Sequence, residues 1–96
     1  MSPDEARDLF LAIDPDKPET VNAVLDHMRT SLEKSVCPMC FGATRKTLVR
    51  DILVWNCLSC EVNLPPLPSG NVTLISPHLR ASIANILRLA WELSHA

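Results

Sequence analysis

All four cysteines of this 96-residue chain fall in two pairs, Cys37-Pro38-Met39-Cys40 and Cys57-Leu58-Ser59-Cys60, with sixteen residues between Cys40 and Cys57. No other feature restricts the fold as much. A CxxC turn lets two thiolates converge on one ion, and the backbone amides that follow its first cysteine can hydrogen-bond the sulfur. The interval between the pairs lies within the roughly 15–20 residues typical of four-thiolate zinc sites. Two such turns brought together by a hairpin complete a tetrahedron with metal–sulfur distances of ~2.3 Å. Four protein ligands leave no open position for water or substrate, so Cys37, Cys40, Cys57 and Cys60 are expected to hold a structural Zn2+.

Size makes such a staple matter. A chain of this length buries a modest fraction of its surface, and a metal cross-link adds stability that a small core lacks. A hydrophobic content of 47% argues against wholesale disorder. The N-terminal Met-Ser-Pro-Asp-Glu-Ala-Arg-Asp lacks the basic start and apolar core of a signal peptide, and no apolar run approaches the ~18 residues of a membrane span. Cysteine pairs in a chain without a secretion signal point to a reducing compartment, where they hold metal more often than disulfides. The expectation is a cytoplasmic protein without a membrane partner.

The net charge of −2 excludes a general polybasic footprint for nucleic acid. Its distribution is uneven. Residues 1–34 carry eight acids against four bases, whereas the middle of the chain sets Arg45, Lys46 and Arg50 against Asp51 and Glu61.

Read in order, Ser2 caps a first helix with Pro3 at its first position and acids in its first turn. Ala6, Leu9, Phe10 and Ile13 recur at helical spacing until Asp14-Pro15-Asp16-Lys17-Pro18 interrupts it. A second helix starts at Pro18-Glu19, with Val21, Val24, Leu25, Met28 and Leu32 in one stripe, and ends near Ser35. Residues 43–50 and 51–56 read as two strands joined by a turn at Arg50-Asp51. Leu64-Pro65-Pro66-Leu67-Pro68-Ser69-Gly70-Asn71 is a connector, and Val72–Ile75 is expected to return as a short third strand. Ser76-Pro77 then opens a last helix with Leu79, Ile83, Ile86, Leu87, Ala90 and Leu93 as its apolar seam, and Leu89 and Trp91 outside it.

From Cys37-Pro38-Met39-Cys40, through the hairpin, to Trp55-Asn56-Cys57-Leu58-Ser59-Cys60, the chain resembles the zinc-ribbon family over roughly residues 36–76. Proline after the first cysteine and an aromatic leading into the second pair are common in that family. One departure stands at both pairs. Ribbons usually carry Gly directly after each pair, whereas this chain has Phe41 and Glu61 there, with Gly42 displaced by one. Iron in a rubredoxin-like site is the chemical competitor to zinc. Redox dithiols would need a CxxC that opens a helix after a buried strand, and neither pair has that setting.

Other chemistry is thinly represented. His27, His78 and His95 lie in three separate segments and away from ligand spacing to the cysteines. Gly42 and Gly70 are the only glycines, so there is no phosphate-cradling loop. Asp4/Asp8 and Asp14/Asp16 read as a solvated helix end and a loop, with nothing apolar beside them to tune an acid–base pair. No nucleophile elbow surrounds any serine. Pro65-Pro66-Leu67-Pro68 has the form of a polyproline ligand but reads more simply as a stiff linker. No enzymatic activity and no small-molecule substrate are expected.

These readings combine into an α+β fold over residues 1–96. Two N-terminal helices (1–35) precede a small antiparallel four-cysteine zinc ribbon (36–76). A C-terminal amphipathic helix (77–96) packs on the first two. The favoured function is a non-enzymatic, zinc-stabilised protein-interaction module (an adaptor, regulator or inhibitor) that meets a protein partner or itself through Leu89 and Trp91. The alternative is a nucleic-acid-binding ribbon in transcription or replication, acting through Arg45, Lys46 and Arg50, with Arg80 as a further candidate.

Overall fold

The structure, a computed structural model, describes residues 2–64, 67–68 and 71–95. Pro65, Pro66, Ser69 and Gly70 of the proline-rich connector therefore lie outside the described residues. The helix starts follow the capping pattern. The Ser2 hydroxyl accepts the Glu5 amide at 3.2 Å, Pro3 takes the first helical position, and α1 runs Pro3–Leu11. The following loop is closed by its own side chains. Asp14 Oδ1 accepts the Asp16 amide at 2.9 Å, and the Thr20 hydroxyl donates to the Lys17 carbonyl at 2.7 Å.

Helix α2, Pro18–Glu33, buries Val21, Val24, Leu25, Met28 and Leu32, the stripe that its 3.6-residue period demands. It ends in a Schellman turn: the Ser35 amide donates to Leu32 O at 3.0 Å and the Val36 amide to Ser31 O at 3.0 Å. Ser35 occupies the left-handed position (φ 57) that glycine usually fills.

Strands β1 (Thr44–Val49) and β2 (Ile52–Cys57) form a hairpin in which Thr44 faces Cys57 and Val49 faces Ile52. Arg50 and Asp51 both take positive φ, 50° and 65°, which is the two-residue type I′ turn whose twist matches a right-handed hairpin. The third strand is elsewhere than expected. β3 is Asn63–Leu64, paired antiparallel with β2 through Trp55↔Leu64 and Asn56↔Asn63, so the sheet order is β1-β2-β3. Val72–Leu74 instead forms a 3-10 turn. Its polar groups are claimed by asparagines: Asn71 Oδ1 accepts the Thr73 amide at 2.8 Å, and Asn22 Oδ1 on α2 accepts the Val72 amide at 3.0 Å. Those bonds tie the segment to α2, where Val72 is buried.

Helix α3, Pro77–Ser94, begins with the Ser76 hydroxyl accepting the Leu79 amide at 3.2 Å. Its buried residues are Ala84, Leu87, Ala90 and Trp91. This corrects the expected seam: Leu79, Ile86 and Leu93 are exposed, and Trp91, expected outside it, is inside. Packing explains the rotation. Trp91 stacks on Phe10 of α1 at 5.1 Å between ring centroids, with a fully buried Phe10, and Arg88 reaches across to donate to Ile13 O at 2.7 Å. Arg80 donates to Pro15 O at 2.7 Å, so both arginines turn toward the α1–α2 loop. α3 thus packs on both N-terminal helices. One buried cluster joins the three helices to Cys37, Met39, Cys57 and Leu64 of the cysteine region. Among the described residues, no helix is long and apolar enough to cross a membrane.

Candidate metal centre

Each cysteine pair folds as the same knuckle, displaced by twenty residues along the chain. In the first, the Phe41 amide donates to Cys37 O at 3.0 Å and the Cys37 amide to Gly42 O at 2.8 Å. In the second, the Glu61 amide donates to Cys57 O at 3.1 Å and the Cys57 amide to Val62 O at 3.1 Å. Phe41 and Glu61 both have φ 64, so the backbone is left-handed at the two places where ribbons carry glycine. The departure noted in the sequence therefore changes the residue and leaves the turn in place, with an L side chain held in a conformation that costs ~1–2 kcal/mol. The flanking pairs repeat too: Val36 bridges Ala43 as Asn56 pairs Asn63.

Gly42 supplies the close approach between the two knuckles. A Cβ there would lie 2.4 Å from Ser59 Oγ and 2.7 Å from Ser59 Cβ. The knuckles differ in their surroundings. Pro38 and Met39 at the tip of the first are fully buried, and His27 of α2 donates from Nε2 to Pro38 O at 2.8 Å. Leu58 and Ser59 at the tip of the second face solvent.

The hairpin brings all four sulfurs together. They lie within 4.8 Å of one another, with Cys37 Sγ 3.9 Å from Cys60 Sγ and Cys40 Sγ 3.4 Å from Cys57 Sγ. A tetrahedron with bonds of ~2.3 Å has edges of ~3.8 Å, so the donor set fits a four-coordinate ion such as zinc. Backbone amides also point at the sulfurs: Cys60 N–H lies 3.3 Å and Ser59 N–H 3.4 Å from Cys57 Sγ, and Cys40 N–H 3.5 Å from Cys37 Sγ. Such donors stabilise thiolate charge.

Comparison of the chain with family models, characterised proteins and solved structures finds no match in any of the three. The donor chemistry must therefore speak from this chain alone.

In the metal-free chain the thiols are tuned unequally. Burial pushes Cys37 far above the ordinary thiol range, although the Cys40 and Met39 amides oppose it. Burial likewise pushes Cys60 up to about 11. Burial acts on Cys57 in the same direction, but the Cys60 and Ser59 amides and the neighbouring Cys40 and Cys60 thiols bring it down to about 7. A further observation favours a charged centre. Thr44 Oγ1 is a buried hydroxyl with no hydrogen-bond partner among the described residues. Its register partner is Cys57, so both side chains leave the same face of the sheet, and a thiolate is the kind of acceptor that hydroxyl lacks.

The remaining candidates are dispersed. Arg45, Lys46 and Arg50 are all exposed, but Arg45 and Lys46 leave opposite faces of β1 and Arg50 sits in the turn. Lys46 Nζ lies 5.0 Å from the Trp55 ring centroid, directly across the ladder. Leu89 is exposed and Trp91 is buried, so the two do not share a surface. Sequence reasoning missed His27 as the tie between α2 and the first knuckle. It also missed Leu79, Ile86 and Leu93 as surface residues. The signal available for the latter was Arg80 and Arg88, long side chains that can snorkel over a buried face, with Ala84, Leu87 and Trp91 at compatible helical spacing.

Proposed function

We propose that this chain is a small, non-enzymatic protein-interaction module whose fold is stapled by a structural four-cysteine zinc site of the zinc-ribbon type. When bound, the metal supplies cross-linking and no chemistry, since four thiolates fill its coordination sphere. The residues around it hold geometry: Gly42 and Ser59 set the spacing of the knuckles, and His27 fastens the first of them to α2. The observation that carries the reading is the outer face of α3. Leu79, Ile86, Leu89 and Leu93 are between 51% and 57% exposed, a concentration of surface aliphatics on one helix that is characteristic of an interaction site.

The runner-up is a nucleic-acid-binding ribbon. It is supported by Lys46 over Trp55, a cation beside an aromatic on an exposed hairpin that also carries Arg45 and Arg50. One experiment separates the two. Affinity capture from the native host, with nucleic acid digested beforehand, is run with the wild type and with Leu89→Glu. Loss of a protein partner in the variant supports the module. Capture unaffected by Leu89→Glu, together with salt-sensitive binding of short oligonucleotides that Lys46→Ala weakens, supports the ribbon instead.

A further inference from the structure

This inference rests on the interaction-module reading and names the partner. The aliphatic arc of α3 consists of the exposed Leu79, Ile86, Leu89 and Leu93 with the half-buried Ile83 at its edge, and none of these ionises. The helix's arginines are turned away from it, Arg80 to Pro15 O and Arg88 to Ile13 O. The arc therefore offers no cation for phosphate and no charge for an oppositely charged partner, and a complementary face must itself be uncharged and aliphatic.

The arc also reads the same from both ends. Leu79 and Leu93 stand seven residues either side of Ile86, and Ile83 and Leu89 stand three either side. Two such helices laid antiparallel about a two-fold axis at Ile86 bring Leu79 against Leu93, Ile83 against Leu89, and Ile86 against itself. Every aliphatic then meets an aliphatic, the self-complementarity that an isologous contact requires. A groove is present for the opposing ridge. It runs between α3 and residues 62–64 and 67–68, lined by Leu64, Leu67, Ile83 and Ile86, and continues past Val62 to Leu93.

We propose that this face is the contact between two copies of the chain, an antiparallel pair of α3 helices centred on Ile86. Eighteen residues make a helix ~27 Å long, and a strip two helix diameters (~20–24 Å) wide covers roughly 540–650 Å² per copy, the lower edge of what a specific interface needs. Specific interfaces start near ~600 Å² per partner, so the dimer is reversible and concentration-dependent.

The test is sedimentation velocity of the metal-loaded chain from roughly 5 to 500 µM, the range in which a contact of this size dissociates. The wild type shifts from monomer to dimer. Ile86→Glu, which sets two carboxylates face to face on the axis, stays monomeric at every concentration with unchanged helical signal and metal content. Cysteine placement reads the geometry. Under mild oxidation Ile86→Cys cross-links to itself, whereas Leu79→Cys does not, because its two copies are ~21 Å apart, and it cross-links only when mixed with Leu93→Cys. A wild type monomeric throughout overturns the proposal, as does a dimer unaffected by Ile86→Glu or a ready self-cross-link at Leu79→Cys. A monomeric chain that still loses a host partner on Leu89→Glu overturns self-pairing alone. One that neither dimerises nor captures a partner overturns the module as well.

Discussion

Gly42→Ala is the smallest change that acts on the relation between the two knuckles. The added Cβ would stand 2.4 Å from Ser59 Oγ, 2.7 Å from Ser59 Cβ and 3.4 Å from Cys40 Sγ. Rotation about χ1 can move the hydroxyl away, but Ser59 Cβ is fixed by its backbone. Relief to a normal carbon contact of ~3.5–4.0 Å therefore requires the knuckles to part by about 1 Å. The sulfurs move with them, and Cys37–Cys60 at 3.9 Å already matches the ~3.8 Å edge of a tetrahedral site. Overpacking of this kind costs about 1–3 kcal/mol, which for a chain of this size lowers the melting temperature by on the order of 10 °C. The metal-loaded variant should melt early by circular dichroism and yield its ion to a weaker chelator. Ser59→Gly, which removes both clashing atoms, should restore most of the loss in the double variant. A Gly42→Ala protein that melts within about 2 °C of the wild type would refute the close-contact argument, as would a double variant no better than the single.

The chain also holds left-handed positions that could be relaxed. Glu61→Gly and Ser35→Gly should each raise stability by roughly 1 kcal/mol in denaturant unfolding, whereas a loss would mean that the side chains do more than occupy the turn. Trp91→Ala should cost about 3–5 kcal/mol by removing the partner of Phe10, while Leu89→Glu should stay within about 0.5 kcal/mol of the wild type; similar values for the two would contradict the orientation of α3. The pH response of the metal-free chain has two signs. Cys60, raised above the ordinary ~8.5, contributes stability below that pH and loses it as pH climbs toward about 11. Cys57, lowered to about 7, contributes above ~8.5 and loses it as pH falls through 7. Since binding needs all four thiolates, metal affinity from competition titrations should fall with pH and steepen below about 7; a flat profile from about pH 9 to 6 would exclude thiolate ligation.

Much of this architecture was legible in the residues. Ser2-Pro3 and Ser76-Pro77 mark their helix starts because a hydroxyl acceptor and a preset φ act locally, without help from the rest of the fold. The stripe of α2 was legible because its buried apolar residues, Val21, Val24, Leu25, Met28 and Leu32, fall on a single 3.6-residue period. The turn at Arg50-Asp51 was found from its polarity, although its left-handed geometry is one that Asn-Gly would have announced. The third strand was misplaced because β propensity in Val72–Ile75 lost to long-range bonds from Asn22, fifty residues away. The face of α3 was misjudged because its apolar residues extend around more than one side of the helix, so pattern alone does not say which side is covered. Stacking of Trp91 on Phe10 decides it, and that contact joins the two ends of the chain.

The four cysteines as a metal staple are tested most directly by titrating the reduced, metal-free chain with Co2+ while following both the visible spectrum and the far-ultraviolet circular dichroism. The account predicts thiolate-to-cobalt charge-transfer bands saturating at one ion per chain, tetrahedral visible bands that Zn2+ displaces, and a gain of ordered structure in step with both. Cys57→Ser should weaken the site and leave the chain partly unfolded. Failure to bind one ion per chain, or a circular dichroism spectrum and melting temperature indifferent to metal, would contradict it.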